Sequence, residues 1–134
     1  MKRYVTDTQC LLWYISDDRR LPKAINRVYN LMEDGQAQIL VPSVVIVEAI
    51  FLVQRQRIPK ASVEFLLNLT EEPDATLYVT PLTMQVVAAL NDFGPAAIPE
   101  MGDRIIAATA RAFNLPLLTT DHIIIDSKLV KVIE

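Results

Sequence analysis

Short apolar runs recur along the chain, separated by segments in which apolar residues fall at helical spacing. Residues 3–6, 38–41, 77–79, 115–119 and 129–133 are brief and rich in Val, Ile, Leu, Tyr and Thr, and they predict five short strands. Residues 8–15 predict a helix that Asp7 is suited to cap. Pro22 can occupy the first turn of another, in which Ile25, Val28, Tyr29 and Met32 repeat at helical spacing until Gly35. Pro42-Ser43 opens a helix that carries Glu48 and fades into Gln54-Arg55-Gln56-Arg57. Further helices are expected at 61–69 and 83–92, the second ended by Gly94-Pro95. Residues 99–113 form the firmest helical pattern, with Ile106, Ala110 and Phe113 on one side and Asn114 as its stop. Strands alternating with helices predict an α/β chain with a mainly parallel sheet covered on both faces.

No repeat, linker or low-complexity stretch divides residues 1–134, a length suited to one domain. A hydrophobic fraction of 51% and a mean hydropathy of +0.27 are high for a chain this small, which points to a fully covered sheet or to apolar surface kept for a partner. The apolar runs are far shorter than the roughly 18 to 20 residues that cross a bilayer. Asp7 interrupts the stretch a signal peptide would need, so a cytoplasmic protein without a membrane segment is expected. Cys10 is alone, which excludes an internal disulfide, and beside Leu11-Leu12-Trp13 it reads as a small core residue rather than a nucleophile. His122 is the only histidine, which argues against zinc sites and histidine-based triads. A net charge of −3 argues against broad, charge-driven nucleic-acid binding, though it leaves room for a nuclease whose acids are offset by bound metal.

Four acids change the picture. Glu48 lies within the apolar run Val44-Val45-Ile46-Val47-Glu48-Ala49-Ile50-Phe51, where a carboxylate must find a cation, hydrogen bonds or a proton. Asp7, Asp103 and Asp121 each abut a short apolar segment. Singly, each has an ordinary explanation: Asp7 as a helix cap, Asp103 as a complement to a helix dipole, Asp121 as a turn cap, Glu48 in an ion pair with Arg104. Jointly, four acids at equivalent ends of βα units favour a site, because open α/β sheets build sites beyond the carboxyl ends of their strands. Carboxylates without His or Cys select hard cations, so Mg²⁺ or Mn²⁺ is expected, with hydrolysis of a phosphodiester as the natural chemistry. Thr8, Thr119 and Thr120 are candidates for orienting a carboxylate or a water, and Arg104 for contacting the scissile phosphate. The groups Arg19, Arg20, Lys23 and Arg55, Arg57, Lys60 read better as solvated charged faces.

The same residues carry a family likeness. Tyr4-Val5-Thr6-Asp7-Thr8 with Leu11-Leu12-Trp13, Pro42-Ser43 ahead of Glu48, Gly102-Asp103-Arg104-Ile105-Ile106-Ala107-Ala108-Thr109-Ala110, and Leu118-Thr119-Thr120-Asp121 resemble the PIN-domain ribonucleases, most of all VapC-type toxins of toxin–antitoxin pairs. The resemblance runs from the first strand to the last. It implies a three-layer α/β/α fold and a Mg²⁺- or Mn²⁺-dependent endoribonuclease whose catalytic and metal-binding acids are Asp7, Glu48, Asp103 and Asp121. It also implies a homodimer silenced by a cognate antitoxin, for which the helices at 22–32 and 44–69 offer apolar surface. Two positions depart from the pattern. Gln9 stands where many relatives have a small polar residue or a histidine, and Met101-Gly102 stands where acidic or polar residues often occur, so a fifth acid used by some members is not expected there. Two alternatives remain beside the toxin: an RNA-processing nuclease of the same fold, and a non-catalytic interaction module whose acids only cap helices and pair with arginine.

Overall fold

Parallel pairing of five strands organises the chain. The computed structural model describes residues 1–134. Its strands are β1 (Lys2–Thr6), β2 (Ala37–Pro42), β3 (Leu77–Thr80), β4 (Leu117–Leu118) and β5 (Val132–Ile133). Its helices are α1 (Thr8–Ile15), α2 (Lys23–Glu33), α3 (Ser43–Gln54), α4 (Lys60–Leu67), α5 (Met84–Leu90), α6 (Met101–Phe113) and α7 (His122–Ser127). The sheet order is β3-β2-β1-β4-β5, with every pair parallel, and helices on both faces complete a three-layer α/β/α fold. β1 is central: Val5 sits opposite Leu40 on one side and Leu117 on the other.

The burial pattern follows from that topology. Val5, Ile39, Leu40, Val41, Leu117 and Leu118 are wholly buried, as strands covered from both sides must be. α6 lies on β1 and β2 and also touches α3 and α5. It presents the small residues Ala107, Ala108 and Ala110 together with Ile106, which lets its backbone approach the sheet closely. Asn114 ends α6 in the left-handed conformation, φ 54°, as its position in the sequence predicts.

Differences from the expected elements have local causes. The strands expected at 115–119 and 129–133 shrink to two residues each, because pairing is confined to Leu117–Val132 and Leu118–Ile133. α7 was not anticipated: Ile123-Ile124-Ile125 carries a β-type composition, but Asp121 captures the amides of Ile123 and Ile124 and starts a helix there. No helix is long and apolar enough to cross a membrane.

Candidate active site

Strand order reverses between β1 and β4, since the chain runs β1-β2-β3 to one side and places β4-β5 on the other. A crevice forms beyond the carboxyl ends of strands at such a switch point. Here it is a cavity of about 560 Å³ whose lining includes Asp7, Thr8, Gln9, Glu48, Glu100, Asp103, Thr120 and Asp121. The four acids singled out in the sequence therefore reach one cavity from four separate segments.

Asp7 and Asp121 are held by the bonds that follow a strand and begin a helix. Asp7 leaves β1 in extended conformation and caps α1, accepting from the Cys10 amide at 2.8 Å. Its other oxygen accepts from the Thr119 hydroxyl at 2.6 Å. Thr119 Oγ1 in turn accepts from the Asp121 amide at 3.0 Å, so one buried threonine ties together the acids that follow β1 and β4. Asp121 caps α7 through the Ile123 amide at 2.8 Å. Glu48 accepts from the Thr8 hydroxyl at 2.5 Å. Asp103 occupies the first turn of α6.

Glu48 is also fixed from the opposite side. Its carboxylate packs against the bare Cα of Gly102; a Cβ added there would lie 2.8 Å from Cδ and 3.2 Å from Oε1, and closer still to Oε2. The sequence position that seemed only to lack an acid is thus the gap into which Glu48 fits. The apolar run around Glu48 suggested deep burial. In the structure only Val45 and Ala49 of α3 are fully buried, and Glu48 is half-buried, facing the cavity.

Negative charge accumulates with no ion pair to offset it. Burial, more than any neighbour, raises the Asp7 carboxyl above its ordinary range; the Thr119 and Cys10 hydrogen bonds lower it, and Asp121 raises it. Asp103 is pushed up to about 7, first by burial and then by Asp121, Glu48 and Asp7. The chain's ion pairs, Arg20–Asp18 and Arg111–Asp92, lie elsewhere, so the Glu48–arginine pair considered from sequence does not form. As they stand, no three acid, histidine or cysteine side chains are drawn into a set ready to enclose an ion. The oxygens of Asp7, Glu48 and Asp121 are turned instead to threonine hydroxyls and helix amides. The donor chemistry is nonetheless that of a hard divalent cation: carboxylates and hydroxyls, no sulfur or imidazole on the lining, and excess charge that such an ion would neutralise.

Arg104 corrects the sequence reading. Its guanidinium donates to the carbonyls of Gly94 at 3.2 Å and Ile98 at 3.0 Å and lies over the Phe93 ring, away from the cavity. The cation that does line the cavity is Arg55, which sequence alone placed on a solvated face. Glu100, just outside α6, adds a fifth acid to the lining, one residue before the Met101-Gly102 pair where it was not expected. Cys10 is wholly buried, and burial with Asp7 alongside pushes its thiol far up, as befits a core residue. His122 is exposed and does not line the cavity.

Among known proteins, the profile of the PIN domain matches residues 4–127. No curated protein matches the sequence. Solved structures share the fold over nearly the whole chain. One is VapBC2 from Rickettsia felis bound to a promoter DNA fragment, at 16% identity and TM-score 0.69, covering 98% of this chain and 97% of that one. VapBC-1 from nontypeable Haemophilus influenzae gives 15% identity and TM-score 0.69, with coverage of 98% and 97%. VapC20 from Mycobacterium tuberculosis, a sarcin–ricin loop cleaving toxin, gives 16% identity and TM-score 0.67, with coverage of 98% and 99%. At such identities the likeness is one of fold.

Proposed function

Because this chain belongs to the PIN domain family, we propose that it is a divalent-metal-dependent endoribonuclease acting as the toxin of a toxin–antitoxin pair. The observation that carries the nuclease reading is the convergence of Asp7, Glu48, Asp103 and Asp121 on one cavity with no basic partner among them. In this reading those four carboxylates hold Mg²⁺ or Mn²⁺, with Thr8 orienting Glu48 and Thr119 orienting Asp7. Thr120, on the cavity lining, is available to a water or phosphate oxygen. The ion, when bound, activates water for in-line attack and neutralises charge on the phosphate. The chain's own residues set the geometry: Asp7 and Asp121 through the shared Thr119, Asp103 through the fixed start of α6, and Glu48 through Thr8 and Gly102.

Support for the toxin role comes from the fold it shares with VapBC complexes and from surplus apolar surface. A cleft of about 740 Å³ between α1, α2 and α4 is lined by Trp13, Tyr14, Asn30, Glu33 and Phe65, among others. Trp13 and Tyr14 are only partly buried, and Phe65 and Leu67 are exposed on α4. An antitoxin segment that brings apolar side chains fits this cleft. Exposed Leu82, Met84 and Val87, at and around α5, suit pairing with a second copy. The purified protein is expected to cleave structured RNA with Mg²⁺ or Mn²⁺ and to stop on addition of chelator. Cleavage that persists in chelator would sink the metal assignment, and the absence of cleavage under any divalent ion would sink the nuclease.

Gly102→Ala offers a finer check. An alanine in the first turn of α6 is no worse for the helix than glycine, by up to about 1 kcal/mol in its favour. Its methyl nevertheless drives the Glu48 carboxylate off its seat. We expect Mn²⁺ affinity, measured by calorimetry, to fall about 10- to 100-fold with no loss of metal-free thermal stability. Unchanged Mn²⁺ affinity would show that the position of Glu48 does not matter to the ion.

A further inference from the structure

We propose that Phe51, Arg55 and Gln9 form a nucleotide subsite beside the acids, in which an unpaired RNA base stacks on Phe51 and a flanking phosphate is held by Arg55. The inference rests on the ribonuclease reading above and deepens it by naming the form of RNA that the cavity accepts. Glu48, Phe51, Leu52 and Arg55 fall at successive helical spacings of i, i+3, i+4 and i+7, so one stripe of α3 and its C-cap runs from the acids outward along the cavity. From Glu48 to Arg55 that stripe rises about 10 Å, a span that a strand covers in a couple of nucleotides.

The chemistry of the stripe changes along its length. At the inner end are Glu48 and the other acids. In the middle, Phe51 is 55% exposed, an aromatic face left to the cavity rather than packed into the core. At the outer end, Arg55 is the one basic residue on a lining that otherwise presents Asp7, Glu48, Glu100, Asp103 and Asp121. Arg55 is therefore the one lining group that attracts a phosphate flanking the acids. Gln9 lies on the same lining and offers both a donor and an acceptor to a base edge. Aromatic stacking with a cationic neighbour is how proteins hold single-stranded nucleic acid, because every base has a π-face. A base still paired in a duplex has no free face for Phe51.

The test separates this subsite from the reaction itself. With Mn²⁺ and a short single-stranded oligoribonucleotide carrying 2-aminopurine, Phe51→Ala should raise KM about tenfold with a much smaller change in kcat, and should lose the quenching that stacking causes. Phe51→Tyr should restore both, and Phe51→Leu should restore neither. Arg55→Ala should raise KM and lower the slope of log affinity against log salt by about 0.7, the share of one phosphate on a single strand. Phe51→Leu behaving like the parent would overturn the proposal, since it would show apolar filling rather than stacking. Phe51→Ala that binds RNA normally but no longer associates with a protein partner or a second copy would also overturn it. A parent protein that cleaves no RNA overturns the ribonuclease reading and the subsite together, whereas active variants with unchanged KM remove the subsite alone. All of these side chains are exposed or at the cavity, and melting curves confirm that each variant is folded.

Discussion

Asp7→Asn protein is expected to lose RNA cleavage by on the order of a thousandfold while melting higher than the parent in metal-free buffer. The loss follows from removing one carboxylate from the group proposed to hold a divalent ion; several kcal/mol of transition-state charge stabilisation corresponds to that factor. The gain follows from burial. Asp7 is only 6% exposed, and desolvation disfavours its ionised form in the fold. Asparagine keeps an oxygen for the Cys10 amide and turns its NH₂ toward Thr119, whose hydroxyl has lone pairs to accept it. Neutralising the group thus retains the cap and removes the cost of a buried charge, against which stands only the Thr119 hydroxyl proton, which must turn to another acceptor. Cleavage assays and calorimetric melts on the same preparation check both halves. A variant that cleaves at the parent's rate would show that Asp7 takes no part in the chemistry, and one that melts lower would show that its charge stabilises the fold.

The second large effect is a stability profile that metal reverses. Asp103 has an ordinary value of 3.8 and is held at about 7 in the fold, so between those values the folded chain binds more protons than the unfolded one. Stability must then fall as pH rises from about 4 through about 7, by about 1–3 kcal/mol once solvent screening of this half-buried group is allowed for. Asp7 is raised as well and adds to the same trend. A divalent ion that binds only the folded chain opposes it. At a hundred times its dissociation constant it contributes about 2.7 kcal/mol, a rise of about 10 °C for a chain of this size. Metal-free melting temperatures are therefore expected to decline from acid to neutral pH, and Mn²⁺ to raise the neutral values most. A flat metal-free profile, or no shift with Mn²⁺ at pH 8, would contradict the clustering of charge on which the proposed chemistry rests.

Much of this arrangement could be read from the chain itself, and the reasons differ by residue. α1 and the stop of α6 at Asn114 were legible because caps and stops act within a few residues. Asp7 and Asp121 were legible because each follows an apolar strand in a βα unit, where topology dictates the location. Arg55 and not Arg104 lines the cavity, since neighbourhood in sequence says little about the direction of a long side chain. Arg104 adjoins Asp103 yet turns to the carbonyls of Gly94 and Ile98. Arg55 lies seven residues beyond Glu48 and shares its face of α3. Counting helical spacings outward from Glu48 would have found it. Gly102 was not legible at all, because its role is to be absent where a side chain from another helix arrives.

The central place of β1 has a consequence for how the chain comes into being. Val5 is bonded into the sheet between residues from the first third and the last fifth of the sequence, at Leu40 and Leu117. Synthesis delivers the amino-terminal segment first, and contacts so distant in sequence can form only after the later partner emerges. Asp7 is therefore made early, but its bond to Thr119 and the cavity it shares with Asp121 can form only after β4 and the segment bearing Asp121 have followed.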